Sequence, residues 1–290
     1  MHRFVYERPE ALADAVELFA RHGAAARPLA GGTDLIIGLR DGSARPAVVV
    51  DLKRIAELPP TIEEQGSWLR ISATVVMSDL LADARIRHEF PALAEAAAAV
   101  GSVQIRNRAT VAGNICNASP AADTAPPLLV YGAVVVAVSD AGTRRIPLTD
   151  FFVRSGVTTL RSDEFVTAIE LPRPSAPLGA VHLRRTRRRG HDLASVTLSC
   201  AIDRDGVTRL AYGSVGPRPI LVVDESGRLA DRGASDTVKE AILDRLFSAA
   251  SPSPRSMRAS PEYRLAMLRV LGRRAVRVAL VRLDGGVQDG

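Results

Sequence analysis

The chain has few cysteines, few aromatic residues and almost no lysine. Its two cysteines, Cys116 and Cys200, are too few for a disulfide scaffold and lack the CxxC spacing that holds zinc or an iron–sulfur cluster. Any metal centre on which the protein depends is therefore expected to belong to a partner. Cys116 has no histidine near it in sequence, so a packing role is favoured over a catalytic thiol.

The sequence also lacks a long apolar run. The stretch from Leu128 to Val138 is interrupted by Gly132 and is shorter than the ~20 residues that span a bilayer. The N-terminus, MHRFVYERP, has no apolar core of a signal peptide. With 47% apolar and 24% charged residues in 290 positions, the composition is that of a globular chain of two modest domains. We therefore expect a cytoplasmic protein without a membrane span.

Positive charge is carried almost entirely by arginine. Lys53 and Lys239 are the only lysines, and the formal net charge is +6. The arginine cluster at 184–189 could be a nucleic-acid patch, but it is the only such cluster, and aromatic residues make up just 4% of the chain. An exposed strand or turn, or a surface for an acidic partner subunit, is favoured, and we expect no nucleic-acid partner.

Hydrophobic periodicity predicts two α/β units in the first half of the chain. An amphipathic helix at 11–22 and a buried strand at 47–52 form a small α/β unit at about residues 1–58. A second unit, residues 59–173, is predicted from strands at 69–74, 134–138 and 164–171. It also contains a helix capped by Ser78 and a helix at 89–100.

Residues 171–177 contain three prolines and no periodic pattern, which predicts a linker and a domain boundary. The two domains are expected at 1–173 and 178–285. Beyond the linker, strands at 194–202, 207–215 and 220–223 predict an antiparallel sheet, with a hairpin turn at Asp205-Gly206. Helices at 236–248 and 261–283 are expected to cover this sheet, so the fold class is α+β.

Two segments are rich in glycine and turn-forming residues. Residues 27–40 predict a strand end, a glycine turn and a helix capped by Thr33 or Asp34. Residues 104–131 predict a tight loop in which Ser119-Pro120 starts a helix. Exposed N–H groups at such turns suit phosphate. Two such loops about eighty residues apart indicate a diphosphate bound from both sides, as in a dinucleotide.

Taken together, these motifs resemble those of a known family. AGGTDL at 30–35 and TVAGNI at 110–115, followed by SPAAD at 119–123, are similar to the FAD-binding subunits of the molybdenum hydroxylases, the xanthine dehydrogenase and aerobic carbon monoxide dehydrogenase family. Similar motifs continue in order at 151–152, 160–164, 188–194, 213–217 (GSVGP) and 260–264 (SPEYR). The resemblance covers nearly the whole chain.

The resemblance implies a fold, a cofactor and a set of site residues. The FAD-binding domain would have two parts, a small α/β unit and a larger mixed α/β unit of the PCMH type. A C-terminal domain of the carbon monoxide dehydrogenase flavoprotein type, an antiparallel sheet covered by helices, would follow. FAD would be bound non-covalently. The residues implied at its site are Leu29, Ala30, Gly31, Gly32, Thr33, Asp34, Leu35, Thr110, Ala112, Gly113, Asn114, Asp123, Leu160 and Arg184.

The implied roles divide between the diphosphate and the rest of FAD. Backbone N–H groups at 31–34 and the Thr33 hydroxyl would bind one side of the diphosphate, and Thr110, Gly113 and Asn114 the other. Many relatives have two glycines before the asparagine. Ala112 takes the first of these places, which a methyl group tolerates at negative φ.

Asp123 is expected to have a different task, because a carboxylate beside a diphosphate would be repelled. It would accept hydrogen bonds from ribityl hydroxyls; the alternative is a helix cap before Pro126. Leu160 would pack on the isoalloxazine face, and Arg184 would approach the flavin.

By resemblance the chain is an oxidoreductase subunit that relays electrons. They would leave a substrate at a large molybdopterin-binding subunit, pass through a 2Fe-2S subunit and reach FAD here before a terminal acceptor. A dimer of heterotrimers is implied, and no catalytic or metal-ligating residue is assigned to this chain. Two alternatives stay open: a self-sufficient FAD-dependent oxidase or reductase of related fold, and a scaffold that has lost flavin. The sequence leaves the substrate and the acceptor undetermined.

Overall fold

Three sheets of three, five and four strands, with a short two-stranded ribbon, form the framework of the protein. The computed structural model describes residues 2–188, 190 and 192–285. In the described part of the chain, no helix is both long and apolar enough to cross a membrane.

The first unit is a parallel three-stranded sheet with the strand order β1-β3-β2. Its elements are β1 Val5–Glu7, α1 Leu12–His22, β2 Ala26–Leu29, α2 Leu35–Asp41 and β3 Val48–Asp51. Helix α1 buries Ala15 and Phe19, as its amphipathic pattern predicts. The Phe19 ring stacks on Phe165 of the next sheet at 4.7 Å between centroids, so this unit is packed against the rest of the domain.

The second unit is an antiparallel five-stranded sheet, β4-β5-β10-β6-β7, with short helices on one side. Its elements are β4 Ile62–Gln65, β5 Trp68–Ser72, α3 Met77–Ala82, α4 Ala84–Glu89, α5 Pro91–Ala99, α6 Val103–Arg106, α7 Val111–Cys116, α8 Ala125–Val130, β6 Val134–Ser139, β7 Gly142–Pro147, α9 Leu148–Phe151, β8 Phe152–Arg154, β9 Val157–Thr158 and β10 Phe165–Pro172. The largest hydrophobic core lies between this sheet and its helices.

The third unit is an antiparallel four-stranded meander backed by two helices. Its elements are β11 Leu178–Arg185, β12 Val196–Asp203, β13 Thr208–Gly213, β14 Ile220–Asp224, α10 Asp236–Leu246 and α11 Pro261–Leu283. Because strand residues alternate between faces, one face carries large apolar side chains that pack against α10 and α11. The opposite face carries Ala180, Ala201 and Ala211, which join the core of the second unit.

The expected α+β architecture is confirmed: a small α/β unit, a larger mixed unit and an antiparallel sheet covered by helices. Two local predictions are wrong. Ser78 does not cap a helix, since α3 begins at Met77 and the Ser78 hydroxyl donates to Asn107. Ser119-Pro120 does not start a helix either; it forms a turn, and α8 begins at Ala125. Strand β11 was not predicted, although the exposed strand or turn expected at 184–189 overlaps its last two residues.

The packing of α11 on β11 gives a prediction. A Cβ on Gly179 would lie 1.9 Å from the Ala279 carbonyl oxygen and 2.8 Å from the Leu283 nitrogen. These are backbone atoms, so the clash can be removed only if the helix moves. Overpacking of this kind costs about 1–3 kcal/mol or more. We expect Gly179→Ala to lower the free energy of unfolding by at least about 2 kcal/mol in urea denaturation followed by circular dichroism.

Gly216→Ala is the matched control, because its Cβ would meet neighbours only at an ordinary 3.5 Å. Equal stability of the two variants would contradict the close packing of α11 on the sheet.

Candidate functional site

The two glycine-containing segments, about eighty residues apart in sequence, meet in the structure. We call residues 29–35 the first loop and residues 108–114 the second loop. A Cβ on Gly31 would lie 2.2 Å from the Arg108 carbonyl oxygen and 2.9 Å from the Ala109 Cα. Only glycine allows this approach of backbone to backbone. The loops therefore form one site, with a glycine where they touch.

The first loop presents free backbone donors. Gly32 has a φ of +75°, a conformation that favours glycine. The N–H groups of Gly32, Thr33 and Asp34 donate to no other described residue. Asp34 occupies the N-cap position of α2, but neither its side chain nor that of Thr33 makes the predicted cap hydrogen bond. Leu35 is the first residue of α2 and is half-buried.

A lysine that the sequence did not mark as functional holds the first loop. Lys53 Nζ donates to the Ala30 carbonyl oxygen at 3.2 Å and pairs with the buried Asp51 carboxylate. Tyr6 also donates to Asp51. The loop is thus held at the carboxyl ends of the strands of the small sheet, where Leu29 is the last residue of β2 and Asp51 the last of β3. The one available signal was that Lys53 is one of two lysines in the chain.

The second loop is a capped helix start and not the predicted tight loop. Thr110 accepts a hydrogen bond from the Gly113 N–H on its side-chain oxygen, at 3.0 Å, and so caps α7. The N–H group of Ala112 has no partner among the described residues, whereas Val76 and Thr110 form an isolated antiparallel bridge just before it. Ala112 lies in the helix, without positive φ, and its methyl group is buried. Gly113 is exposed, and a Cβ there would meet only Thr110 Oγ1, at 3.0 Å.

Asn114 connects the second loop to the turn at 119–124. Its side-chain oxygen accepts a hydrogen bond of 2.6 Å from the Thr124 hydroxyl, and Thr124 is fully buried. Within the turn, Ser119 Oγ accepts from the Ala121 N–H. Asp123 therefore lies next to a residue tied directly to the second loop.

Asp123 is a buried carboxylate that forms no hydrogen bond with any described residue. It is only 7% exposed, and its Oδ1 has no donor among the described residues. The position before α8 that a cap would occupy belongs to Thr124, so the helix-cap alternative is wrong. Arg184 Nε lies 3.4 Å from Oδ1 and His182 Nε2 lies 3.9 Å from it, and neither nitrogen has a hydrogen-bond partner in the described chain.

Arg184 reaches this carboxylate from the third unit. It lies near the end of β11, and its terminal nitrogens donate to the carbonyl oxygens of Ala99 and Asp192. His182, two residues earlier on the same face, is held through Nδ1 by Ser199 Oγ at 2.9 Å. The guanidinium thus turns inward, toward Asp123, and is mostly buried.

Leu160 lies in the connection between β9 and β10 and packs, half-buried, against the central core. Glu164 shapes this turn by accepting from Arg144 and from the Arg161 N–H. Burial raises the Glu164 pKa, but these hydrogen bonds outweigh it and hold the pKa below its ordinary value. No hydrogen bond joins the turn to either loop within the described ranges.

The chemistry available here is the binding of an anionic, hydroxyl-bearing ligand. Free N–H groups at both loops suit phosphate, and the carboxylate without a donor suits hydroxyl groups. Among the described residues, no group of three or more His, Cys, Asp or Glu side chains could hold a metal ion.

Two family models match the chain along most of its length. Residues 2–174 match the family described as the FAD binding domain in molybdopterin dehydrogenase, and residues 182–279 match the CO dehydrogenase flavoprotein C-terminal domain. The xanthine dehydrogenase FAD-binding subunit of Escherichia coli O157:H7 is 32% identical over 289 residues, covering 98% of each chain. The carbon monoxide dehydrogenase medium chain of Hydrogenophaga pseudoflava is 28% identical over 97% of this chain and 98% of its own.

Solved structures agree with these matches. Carbon monoxide dehydrogenase from Hydrogenophaga pseudoflava superposes with a TM-score of 0.88 at 28% identity, covering 97% of this chain and 98% of that one. Reconstituted CO dehydrogenase from Oligotropha carboxidovorans gives a TM-score of 0.89, also at 28% identity, over 97% and 98%.

The partial burial of Cys116 gives a prediction about its chemistry. Burial raises the pKa of this thiol from 9.0 to about 12, and it also raises the pKa of Cys200. Because the thiolate is the reactive form, we expect neither cysteine to react with iodoacetamide in the folded protein at pH 8. Both should react in urea, as counted by mass spectrometry. Rapid alkylation of Cys116 in the folded chain would contradict this prediction and support the alternative of a catalytic thiol.

Proposed function

The chain belongs to the family of FAD-binding subunits of molybdopterin dehydrogenases, and on that premise we propose that it relays electrons from the iron–sulfur clusters of a partner subunit through FAD to a terminal acceptor. Membership makes the chain an FAD-binding oxidoreductase subunit. FAD supplies the redox chemistry, and the protein supplies binding and orientation. The observation that carries the proposal is the joining of two loops with free N–H groups at the Gly31–Arg108 contact.

The residues present fit FAD in two respects. Gly31 lets the two loops touch, and the N–H groups of Gly32, Thr33 and Asp34 beside that contact have no partner among the described residues, which suits one side of a diphosphate. The start of α7, at Thr110, Ala112, Gly113 and Asn114, would serve the other side. Leu29, Ala30 and Leu35 would support the first loop against the cofactor.

The remaining proposed contacts concern the other parts of FAD. Asp123 would accept hydrogen bonds from ribityl hydroxyls, because its buried Oδ1 has no donor among the described residues. Arg184 would act next to the flavin by balancing the charge of Asp123, which it faces at 3.4 Å. Leu160 would pack on the isoalloxazine.

We propose the finer organisation on the same basis. The FAD-binding domain would span residues 1–173 and the C-terminal domain residues 178–285, in a cytoplasmic complex. The partners would be a 2Fe-2S subunit and a large molybdopterin-binding subunit, in a dimer of heterotrimers. Relatives described as medium chains and FAD-binding subunits support a multi-subunit enzyme.

Purification of the complex through a tag on this chain tests the relay. We expect FAD, iron and molybdenum to copurify in a fixed ratio. FAD bound without either metal would contradict the relay and favour a self-sufficient flavoprotein.

Gly113→Val tests the position of the diphosphate. The added side chain would point into open space in this chain, meeting only Thr110 Oγ1, so the fold should tolerate it. If the diphosphate occupies that space, the variant should lose FAD, measured from the flavin released on denaturation. Iron and molybdenum should stay in the complex at their normal ratio.

Gln104→Val, at an exposed position in the neighbouring α6, is the control and should retain FAD. Normal FAD content in a folded Gly113→Val chain would place the diphosphate elsewhere.

Asp123→Asn tests the ribityl contact. Hydrogen bonds to a charged acceptor are worth about 1.5–3 kcal/mol, so FAD should bind at least about tenfold more weakly in a fluorescence-quenching titration. The FAD-free variant should also be less stable, because Arg184 loses its buried counter-charge.

Adding Arg184→Gln separates these two effects. In the Arg184→Gln background, Asp123→Asn should cost little stability in urea denaturation, because no buried guanidinium is left unpaired, while it should still weaken FAD binding. Unchanged FAD affinity in Asp123→Asn would remove this carboxylate from the site.

A further inference from the structure

Two motifs with no role in the site described above meet inside the protein. GSVGP at 213–217 starts at Gly213, the last residue of β13, and SPEYR at 260–264 contains the cap and the first residues of α11. Arg264, in the second motif, is only 4% exposed and donates through Nη1 to the Ser214 carbonyl oxygen at 2.6 Å. Its Nη2 is hydrogen-bonded to Ser256 Oγ. The two motifs are therefore parts of one buried contact.

Ser214 joins three separate segments. Besides receiving the bond from Arg264, it donates through its N–H to the Pro120 carbonyl oxygen at 2.6 Å and through Oγ to the Ala194 carbonyl oxygen at 3.0 Å. Its φ is +65°, which a residue other than glycine seldom adopts and which persists only where the surroundings hold it. The backbone here is thus specified by contacts on all sides.

The same contact presses the end of β13 onto the turn that carries Asp123. A Cβ on Gly213 would lie 2.7 Å from the Pro120 carbonyl oxygen and 2.7 Å from Thr197 Oγ1. Only glycine permits this approach. Pro120 lies three residues before Asp123, in the turn at 119–124.

Arg264 is an unusual choice for a purely packing role. In the described part of the chain it forms no salt bridge, and its Nε is buried without a partner. Burial, with the nearby Arg258 charge, lowers its pKa, which shows that the environment disfavours the cation. A buried guanidinium satisfied mainly by a carbonyl and a hydroxyl oxygen has the geometry of a fixed donor.

We propose that Arg264 and Ser214 are positioning residues, which hold the turn at 119–124 so that Asp123 is oriented to accept hydrogen bonds from FAD. This inference rests on the proposed role of Asp123. The C-terminal domain then contributes to FAD affinity through Pro120 without itself touching the diphosphate.

A double-mutant cycle on the full chain tests the proposal. We expect Arg264→Met to weaken FAD binding about tenfold, from the loss of a hydrogen bond donated by a charged group. In an Asp123→Asn background the same change should weaken binding less than about twofold, because its effect acts through the missing carboxylate. Affinities are read from flavin fluorescence quenching, and Arg264→Lys, which keeps a charged donor, should recover most of the affinity.

Arg269→Met is the matched control. Arg269 lies on the same helix, in an exposed ion pair with Asp244 on α10, and its loss should leave FAD affinity unchanged. A purely electrostatic attraction between Arg264 and FAD would give equal losses in both Asp123 backgrounds, which would overturn the proposal. Unchanged affinity in a folded Arg264→Met chain would also overturn it.

If Arg264→Met does not fold, Gly213→Ala takes its place in the cycle with the same criteria, because it displaces the Pro120 carbonyl from the other side. The cycle also distinguishes the proposed FAD contact of Asp123 from the proposed positioning role of Arg264. If Asp123→Asn alone leaves affinity unchanged, the proposed role of Asp123 fails; if only the Arg264 effect is missing, the positioning role fails.

Discussion

The contact of Gly31 with the Arg108 carbonyl is the constraint on which the site depends. Both partners are backbone, so no side-chain rearrangement can relieve a substitution at Gly31. The first loop follows the small parallel sheet, whereas the second lies among the helices of the larger unit. The contact therefore joins the small unit to the larger one through backbone atoms alone. Stacking of Phe19 on Phe165 fastens the same two units at a second point.

The third unit joins the others through an unusual sheet face. Its apolar face is covered by α10 and α11, as expected for a sheet on helices. The opposite face combines alanines with His182, Arg184, Ser199 and Thr197, all mostly buried. Small side chains let this sheet approach α5 and α8 closely, and the polar ones reach the carbonyl and carboxylate groups that those elements present. The face thus serves both as packing surface and as the far wall of the site.

Charged side chains, some buried and some partly exposed, collect at this boundary between the units. Arg184 faces Asp123, and Arg282 on α11 bonds both Glu95 and the Ala180 carbonyl. Glu95 in turn accepts from the His182 N–H. Buried ion pairs contribute little net stability, because desolvation offsets their attraction, but a missing partner is costly. Here such pairs favour one orientation of the sheet on the helices, and with it one orientation of the Asp123 turn.

The sequence alone determined the features that depend on local chemistry. Helix α11 was predicted at its observed bounds, since Ser260 caps it, Pro261 opens it and its pattern is continuous. The Asp205-Gly206 hairpin, the α+β class and the flavoprotein family followed from turn residues and ordered motifs.

The tertiary structure alone decided how distant residues interact with each other. Strand β11 was missed because its arginines resemble a solvated segment until Ala99 and Asp192 are seen to bind Arg184. Likewise, the sequence allowed Asp123 to be a helix cap, and only the packing of three units buries its carboxylate beside Arg184, with no donor to Oδ1 among the described residues. Periodicity and capping act over a few residues, whereas the surroundings of a buried charge are set by the path of the whole chain.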